Sequence, residues 1–318
     1  MRESIENLKC STSLINRFVY LIIKTFGCVM DSHRREAIRR WFYRVTKLRP
    51  SFCCRVKEWG LIREPRFPRV IVSLTSYPKR ISTVHRTIET LLTQTFKPDM
   101  VILWLGEDRF PNKEKDLPAA LLRFRDFGLT IGWTKDIRSY TKLVPALKEF
   151  PEDVVVTGDD DMFYQSDWLE KLYRSYQADP VAVHCHYVKE VKIVNGVIRP
   201  YREWTHGKKL GAKEFRFLLM GVGGVLYPPH VLHSDVFLEE RFKSLSPLND
   251  DLWFWAMAVM NGTGIKLIEG GKGHPEGDCT ASTENSLMNT NCGLEQRNDP
   301  QLAAIIESYP QLKKRLLK

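Results

Sequence analysis

The 318-residue sequence contains no Cys-x-x-Cys pair, and its seven cysteines (Cys10, Cys28, Cys53, Cys54, Cys185, Cys279 and Cys292) are scattered through a chain too large to need staples. That argues against a disulfide framework and for free thiols in a reducing, cytoplasmic setting. The chain also lacks an unbroken run of the roughly 20 apolar residues that cross a bilayer. Its most apolar stretch, SLINRFVYLIIKTFGCVM at 13–30, is interrupted by Arg17 and Lys24, and no small-x-small cleavage site follows it. Beyond residue 69 net charge is missing too. Of 48 Lys/Arg and 38 Asp/Glu, residues 1–69 hold 16 and 6, and the remainder holds 32 of each. A neutral body has no electrostatic footprint for nucleic acid, so the formal charge of +10 belongs to an appendage.

That appendage, residues 1–68, reads as a basic, amphipathic helical extension. In HRREAIRRWFYRVTKLRP at 33–50 arginines interleave with Trp41, Phe42 and Tyr43. Such a mixture suits a helix on an anionic membrane surface, arginines among headgroups and aromatics at the acyl boundary. An ordinary solvated basic helix packed on the body is the plainer alternative. The expected membrane contact runs through residues 1–60, on the inner face of the plasma membrane.

With 43% apolar residues the rest of the chain can bury a sizeable core. From Arg69 strands and helices alternate. RVIVSLTSY, MVILWLG, LTIGWT and VVVTG read as strands; ISTVHRTIETLLTQT, LPAALLRFRDF and TKLVPALKEF read as helices between them. Parallel strands need crossover helices, so this order predicts an α/β fold: a mostly parallel, doubly wound sheet with helices on both faces. Ligands of such sheets bind at the carboxyl ends of the strands. The fourth strand delivers Asp159, Asp160 and Asp161 to that end.

Three adjacent carboxylates repel one another unless a cation or strong donors neutralise them. Oxygen ligands select hard ions such as Mg²⁺ or Mn²⁺, with phosphate and water filling the remaining positions. Strand alternation would put Asp159 and Asp161 on one side and Asp160 on the other, so that a D-x-D pair shares one ion. A polar turn capping the following helix, SDWLEKLYRSYQ, is the bland alternative, although Ser166 or Asp167 can cap it. Farther on, Asn195-Gly196 predicts a tight hairpin turn within VKIVNGVIRPY. GVGGVLYPP at 221–229 offers backbone for close approach, or is a plain turn. In NDDLWFWAMAVMNG either Asn249 or Asp250 can cap a helix with Asp251 in its first turn. His184 and His186 alternate in VAVHCHYV, as a metal pair or as histidines satisfied at a pocket edge. Trp204, Trp253 and Trp255 are candidates for sugar stacking or for the core. A short amphipathic helix is expected in the tail.

The segments VIVSLTSYPKRISTVHRTIETLLTQTFKPDMVILWL, SYTKLVPALKEFPEDVVVTGDDDMFYQSDWLEKLYRSY, GVGGVLYPP and SPLNDDLWF resemble, in their order and spacing, bacterial family 2-like glycosyltransferases of the GT-A fold. That group is associated with capsule, lipopolysaccharide and other surface polysaccharide. The resemblance runs from about Arg69 to about Pro300. It implies a domain over 69–318, with a nucleotide-binding half at 69–165, an acceptor half at 166–300 and a terminal helix at 301–318. It also implies a nucleotide-diphosphate sugar donor and a glycan or lipid-linked acceptor. Thr75, Ser76 and Tyr77 would lie near base and ribose, with Arg80 at the base or a phosphate and Lys142 at the diphosphate or base. Asp159 and Asp161 would hold Mn²⁺ or Mg²⁺, and Asp160 the ribose or sugar. Gly223 and Gly224 would let sugar or diphosphate approach. An acid in NDD would serve as general base of an inverting transfer: Asp251, with Asp250 as the alternative. His274 matches a late metal ligand found in some members of the fold. Two rival readings are a metal-dependent phosphohydrolase or nuclease and an inactive sugar-nucleotide-binding module.

Overall fold

The computed structural model describes residues 59–268 and 297–317, all within the unit Glu58–Lys318. The expectations placed on residues 1–58, including the membrane-surface helix, and on His274 lie outside the described residues. Residues 59–68 form no helix, contrary to the helical reading of 1–68. Gly60 and Ile62 instead donate their amides to the Leu92 and Pro98 carbonyls.

The Val/Ile-rich segments form β1 (Val70–Thr75), β2 (Met100–Gly106), β3 (Leu129–Thr134) and β4 (Val154–Thr157), paired in parallel in the order β3-β2-β1-β4. Between them lie α1 (His85–Leu92), α2 (Ala119–Leu122) and α3 (Val144–Glu149). Each helix is shorter than its sequence pattern. Pro78 opens a run of turns before α1. The second pattern changes after Leu122 to a 3₁₀ segment, Arg123–Phe127, closed by left-handed Gly128. The third begins as a 3₁₀ segment, Arg138–Lys142.

The second half contributes α4 (Trp168–Ala178), β5 (Val183–Cys185), β6 (Val188–Glu190), β7 (Ile193–Val194), β8 (Val197–Ile198), β9 (Thr205–His206), β10 (Lys213–Glu214), β11 (Phe217–Leu219) and β12 (Val225–Tyr227). Then come α5 (Glu239–Leu245), α6 (Asp250–Met260) and β13 (Ile265–Leu267). Two helices follow, α7 (Asn298–Ser308) and α8 (Pro310–Leu316), where one was expected. The main sheet has eight strands in the order β10-β13-β5-β12-β4-β1-β2-β3. Its β12 is antiparallel to both β4 and β5. The chain is thus α/β with a mostly parallel central sheet.

Alternate residues of each strand feed opposite cores, as a period of two requires. Ile71, Ile102 and Val155 join one that contains Leu143, Trp253, Trp255 and Leu312. Val70, Val72, Leu74 and Val156 join the other with Ile88, Leu91 and Leu169. Each fully buried aliphatic side chain in these cores contributes roughly 1.5–3 kcal/mol. Trp204, Trp253 and Trp255 are 4%, 0% and 0% exposed, so they are core residues and not a sugar platform. His184 and His186 are satisfied structurally. His184 bonds Ser175 Oγ and the Asp179 carbonyl, and His186 bonds the Trp168 carbonyl. Burial depresses both rings to about 4, which keeps them neutral. No described helix is long and apolar enough to cross a membrane.

Two glycines separate steric from conformational demand. Gly224 has φ +91°, and a Cβ there would fall 2.4 Å from the Trp168 ring. Gly196 has φ +75° in the turn that follows Asn195 (φ 50°), with open space around it. In urea unfolding, Gly224→Ala should cost about 3 kcal/mol or more, overpacking added to strain. Gly196→Ala should cost only the strain of about 1 kcal/mol. Equal costs would mean that Trp168 yields freely.

Candidate functional site

β4 ends at Thr157, and the acidic loop begins at Gly158, where a Cβ would lie 3.0 Å from Tyr164 Oη. The strand alternation expected for the aspartates therefore stops before them. Tyr164 Oη accepts the Asp159 amide at 2.8 Å, and Thr87 Oγ1 on α1 donates to the Asp160 carbonyl at 2.8 Å. These contacts fix the loop's backbone and leave its carboxylates to be balanced separately.

Two cations divide them. Arg80 Nη1 lies 2.7 Å from Asp160 Oδ1 and 3.0 Å from Asp161 Oδ2. Lys142 Nζ lies 3.0 Å from Asp159 Oδ1. Asp160 is buried and also accepts from Ser76 Oγ at 2.6 Å. Burial raises its affinity for a proton, against the opposing pull of Arg80. Asp161 is pushed up to about 6, first by burial and then by the charge of Asp159. Arg80 only partly offsets this.

Lys142 is set in place by three neighbours. Its carbonyl accepts from Ser73 Oγ at 2.6 Å, and Ser73 Oγ accepts from Trp104 Nε1 at 3.1 Å. Thr141 Oγ1 accepts the Ile137 amide at 3.1 Å, and Tyr140 Oη donates to the Ser246 carbonyl at 2.6 Å. The ammonium is consequently aimed at a second acidic group. It lies 3.1 Å from Asp250 Oδ2, at an angle that leaves this oxygen without an aligned hydrogen bond. Burial disfavours its charge, but Asp159, Asp250 and Asp251 together outweigh burial and hold the lysine protonated.

The acid pair arrives through α6. Asn249 caps the helix by accepting the Leu252 amide, which frees Asp250 and Asp251 from capping. Val225 of β12 pairs with Thr157 of β4, so the turn before β12 sits beside the acidic loop after β4. In that turn the Gly221 amide donates to Asp251 Oδ2 at 3.0 Å. A Cβ on Gly221 would fall 2.7 Å from Asp251 Oδ1 and 2.9 Å from Lys142 Nζ. Asp251, although partly open, is pushed well above the usual carboxylate range by burial and by Asp250.

The other sequence candidates line the same strand ends. Thr75 Oγ1 donates to the Trp104 carbonyl, and Tyr77 is exposed beside the Arg80 guanidinium. The Gly223 carbonyl accepts Trp168 Nε1 at 2.8 Å, so Gly223 and Gly224 are anchored to α4. Sequence reasoning missed Ser73, Thr87, Tyr140, Tyr164 and Gly221. Ser73, a hydroxyl in an otherwise aliphatic strand, is a readable signal; Gly221 is the first residue of GVGGVLYPP, and nothing in the sequence distinguishes it from the glycines that follow.

Asp159 and Asp161 supply two oxygen donors, and no described group of three or more acidic, His or Cys residues could by itself hold a metal ion. Two carboxylates are what Mg²⁺ or Mn²⁺ takes when phosphates complete its shell. Burial first and the charge of Asp159 second raise the Asp161 carboxyl, and a cation held there would relieve both. The residues present therefore fit a divalent ion.

No family model and no curated protein matches the chain. Among solved structures, it is similar to a mannosyltransferase from Pyrobaculum calidifontis in complex with GDP-Man and Mn²⁺, at 15% identity over 94% of this chain and 78% of that one, TM-score 0.44. It is similar to a 4-diphosphocytidyl-2C-methyl-D-erythritol synthase at 10% identity, covering 68% and 94%, TM-score 0.41. With a CMP:2-keto-3-deoxy-manno-octonic acid synthetase complexed with CTP the figures are 12%, 65% and 93%, TM-score 0.37. At such identities the chemistry of the site rests on its own residues.

Proposed function

We propose that the protein is a metal-dependent, inverting glycosyltransferase that moves a sugar from a nucleoside-diphosphate donor to a hydroxyl of a glycan or lipid-linked acceptor in cell-surface polysaccharide synthesis. The observation that carries this reading is the meeting of two acidic groups at one sheet end. Asp159–Asp161 follow β4, and Asp250–Asp251 face them across Lys142. A single displacement needs charge control on the leaving side and a base on the attacking side.

Asp159 and Asp161 would hold Mn²⁺ or Mg²⁺, which when bound neutralises charge developing on the departing diphosphate. Thr75, Ser76 and Tyr77 border the space for base and ribose. Asp251 is the base. Its Oδ2 is tied to the Gly221 amide, and its raised affinity for a proton suits a carboxylate that must take one near neutral pH. As the acceptor oxygen forms its bond to the anomeric carbon, the bond to the diphosphate breaks with its electron pair, and the hydroxyl proton passes to Asp251. Asp250, paired to Lys142, is placed to keep charge beside the base.

Three measurements test this reading. In calorimetric titration a nucleoside diphosphate should bind with Mn²⁺, fail to bind with chelator, and fail to bind Asp161→Ala with either; undiminished binding by the variant removes the metal role. Asp251→Asn should leave donor affinity nearly intact and depress transfer by roughly two to four decades. Normal turnover in that variant would transfer the base role to Asp250. The third concerns stability without metal. Asp161 has a folded-state pKa of about 6, above its unfolded value, so its ionisation opposes folding. Its penalty is absent below the unfolded value of about 4, grows as pH rises from there and is complete above about 6. Asp161→Asn should therefore raise the Tm of metal-free protein at pH 7.5 and not at pH 4; a variant no more stable at pH 7.5 contradicts the assignment.

A further inference from the structure

Lys142 has a placement that contact with a diphosphate alone does not require. Among the described residues it is the only cationic ion-pair partner of Asp159 and of Asp250. It also shares the space over Gly221 with Asp251. Its backbone is fixed by Ser73 and its neighbours Tyr140 and Thr141 by their own bonds, so the ammonium is confined between the two acidic groups. One ammonium cannot neutralise three carboxylates, and its attraction is divided between those within reach. A change on one side must then alter what remains for the other.

Resting on the reading that Asp159 and Asp161 take a divalent ion, we propose that Lys142 is a shared counter-ion, a positioning residue that couples the donor side of the site to the acceptor-side acids. With Asp250 ionised, Lys142 is drawn partly away from Asp159, which leaves that carboxylate open to a metal. With Asp250 neutral, the ammonium settles on Asp159 and competes with the metal there. Conversely, an ion on Asp159 leaves Lys142 to Asp250 and Asp251, which draws the acid pair together when donor is loaded. The two couplings are equal by reciprocity.

The test uses Mn²⁺ alone, titrated into the full chain with free Mn²⁺ followed by electron paramagnetic resonance. Wild type, Asp250→Asn, Lys142→Met, the double variant and Asp161→Asn are compared. Asp250→Asn should weaken Mn²⁺ binding by roughly five- to tenfold although Asp250 is no ligand, a coupling of ordinary size. In the Lys142→Met background the same substitution should have little effect. Equal weakening in both backgrounds would mean that the charge of Asp250 acts directly through space, and no weakening in either would mean no coupling; each overturns the proposal. Failure of wild type to bind Mn²⁺, or equal binding by Asp161→Asn, would instead overturn the donor-site reading and this proposal with it. Should Lys142→Met fail to fold, Mg²⁺ titration of wild type labelled with ¹³C at aspartate carboxylates keeps the idea testable. The Asp250 signal should move along with that of Asp159, and a stationary Asp250 signal overturns the coupling.

Discussion

A buried ammonium is the constraint around which this molecule is organised. Removing a lysine charge from water costs several kcal/mol unless close partners replace the solvent. Lys142 finds them in carboxylates from two distant parts of the chain, Asp159 after β4 and Asp250 at the start of α6. Those carboxylates would themselves be costly without it. The arrangement is therefore mutual: the crossover that carries Lys142, the loop that carries the aspartates and the helix that carries the acid pair are held in one geometry by charge that none can bury alone. Ser73 and Tyr140 lie behind that geometry, converting the packing of β1 and α5 into the position of one nitrogen atom.

The charge is not fully compensated, and this is informative about the purpose of the site. Arg80 serves Asp160 and Asp161 through a single nitrogen, while its buried Nε has no partner. Asp161 remains elevated, and Asp250 Oδ2 lacks an aligned donor. Elsewhere His184 and His186 are satisfied, and the unpartnered nitrogens of His85 and Trp253 belong to uncharged side chains. Incompletely paired charges gathered at one sheet end are expected where binding and not folding supplies the missing partners.

Much of the fold was legible because strands buried on both faces write themselves as unbroken aliphatic runs. MVILWLG coincides with the buried β2, LTIGWT coincides with the half-exposed edge strand β3, and Asn195-Gly196 makes the expected turn with both residues at positive φ. Helix lengths were less legible, since α1 and α3 are curtailed by turns and 3₁₀ segments whose stability depends on tertiary contacts. At the site, the acidic residues stood out by type, but their partition did not. Sequence periodicity assumed a strand through Asp161, whereas β4 stops at Thr157 and the following residues are oriented by Tyr164 and Thr87. Nor could spacing reveal that Lys142 reaches Asp250, 108 positions on, because that meeting depends on β12 lying antiparallel beside β4.

That antiparallel insertion has a mechanical consequence. The glycine turn that steers Asp251 and the loop that carries Asp159 are anchored to neighbouring strands through the Thr157–Val225 pair. Their anchors are thus held one inter-strand spacing apart, about 4.8 Å, by ladder hydrogen bonds and not by flexible loops. The width at the base of the site is a property of the sheet. A change in the exposed loops beyond β4 and β12 leaves that spacing in place, so the separation of the two acidic groups at their anchors is set by the ladder.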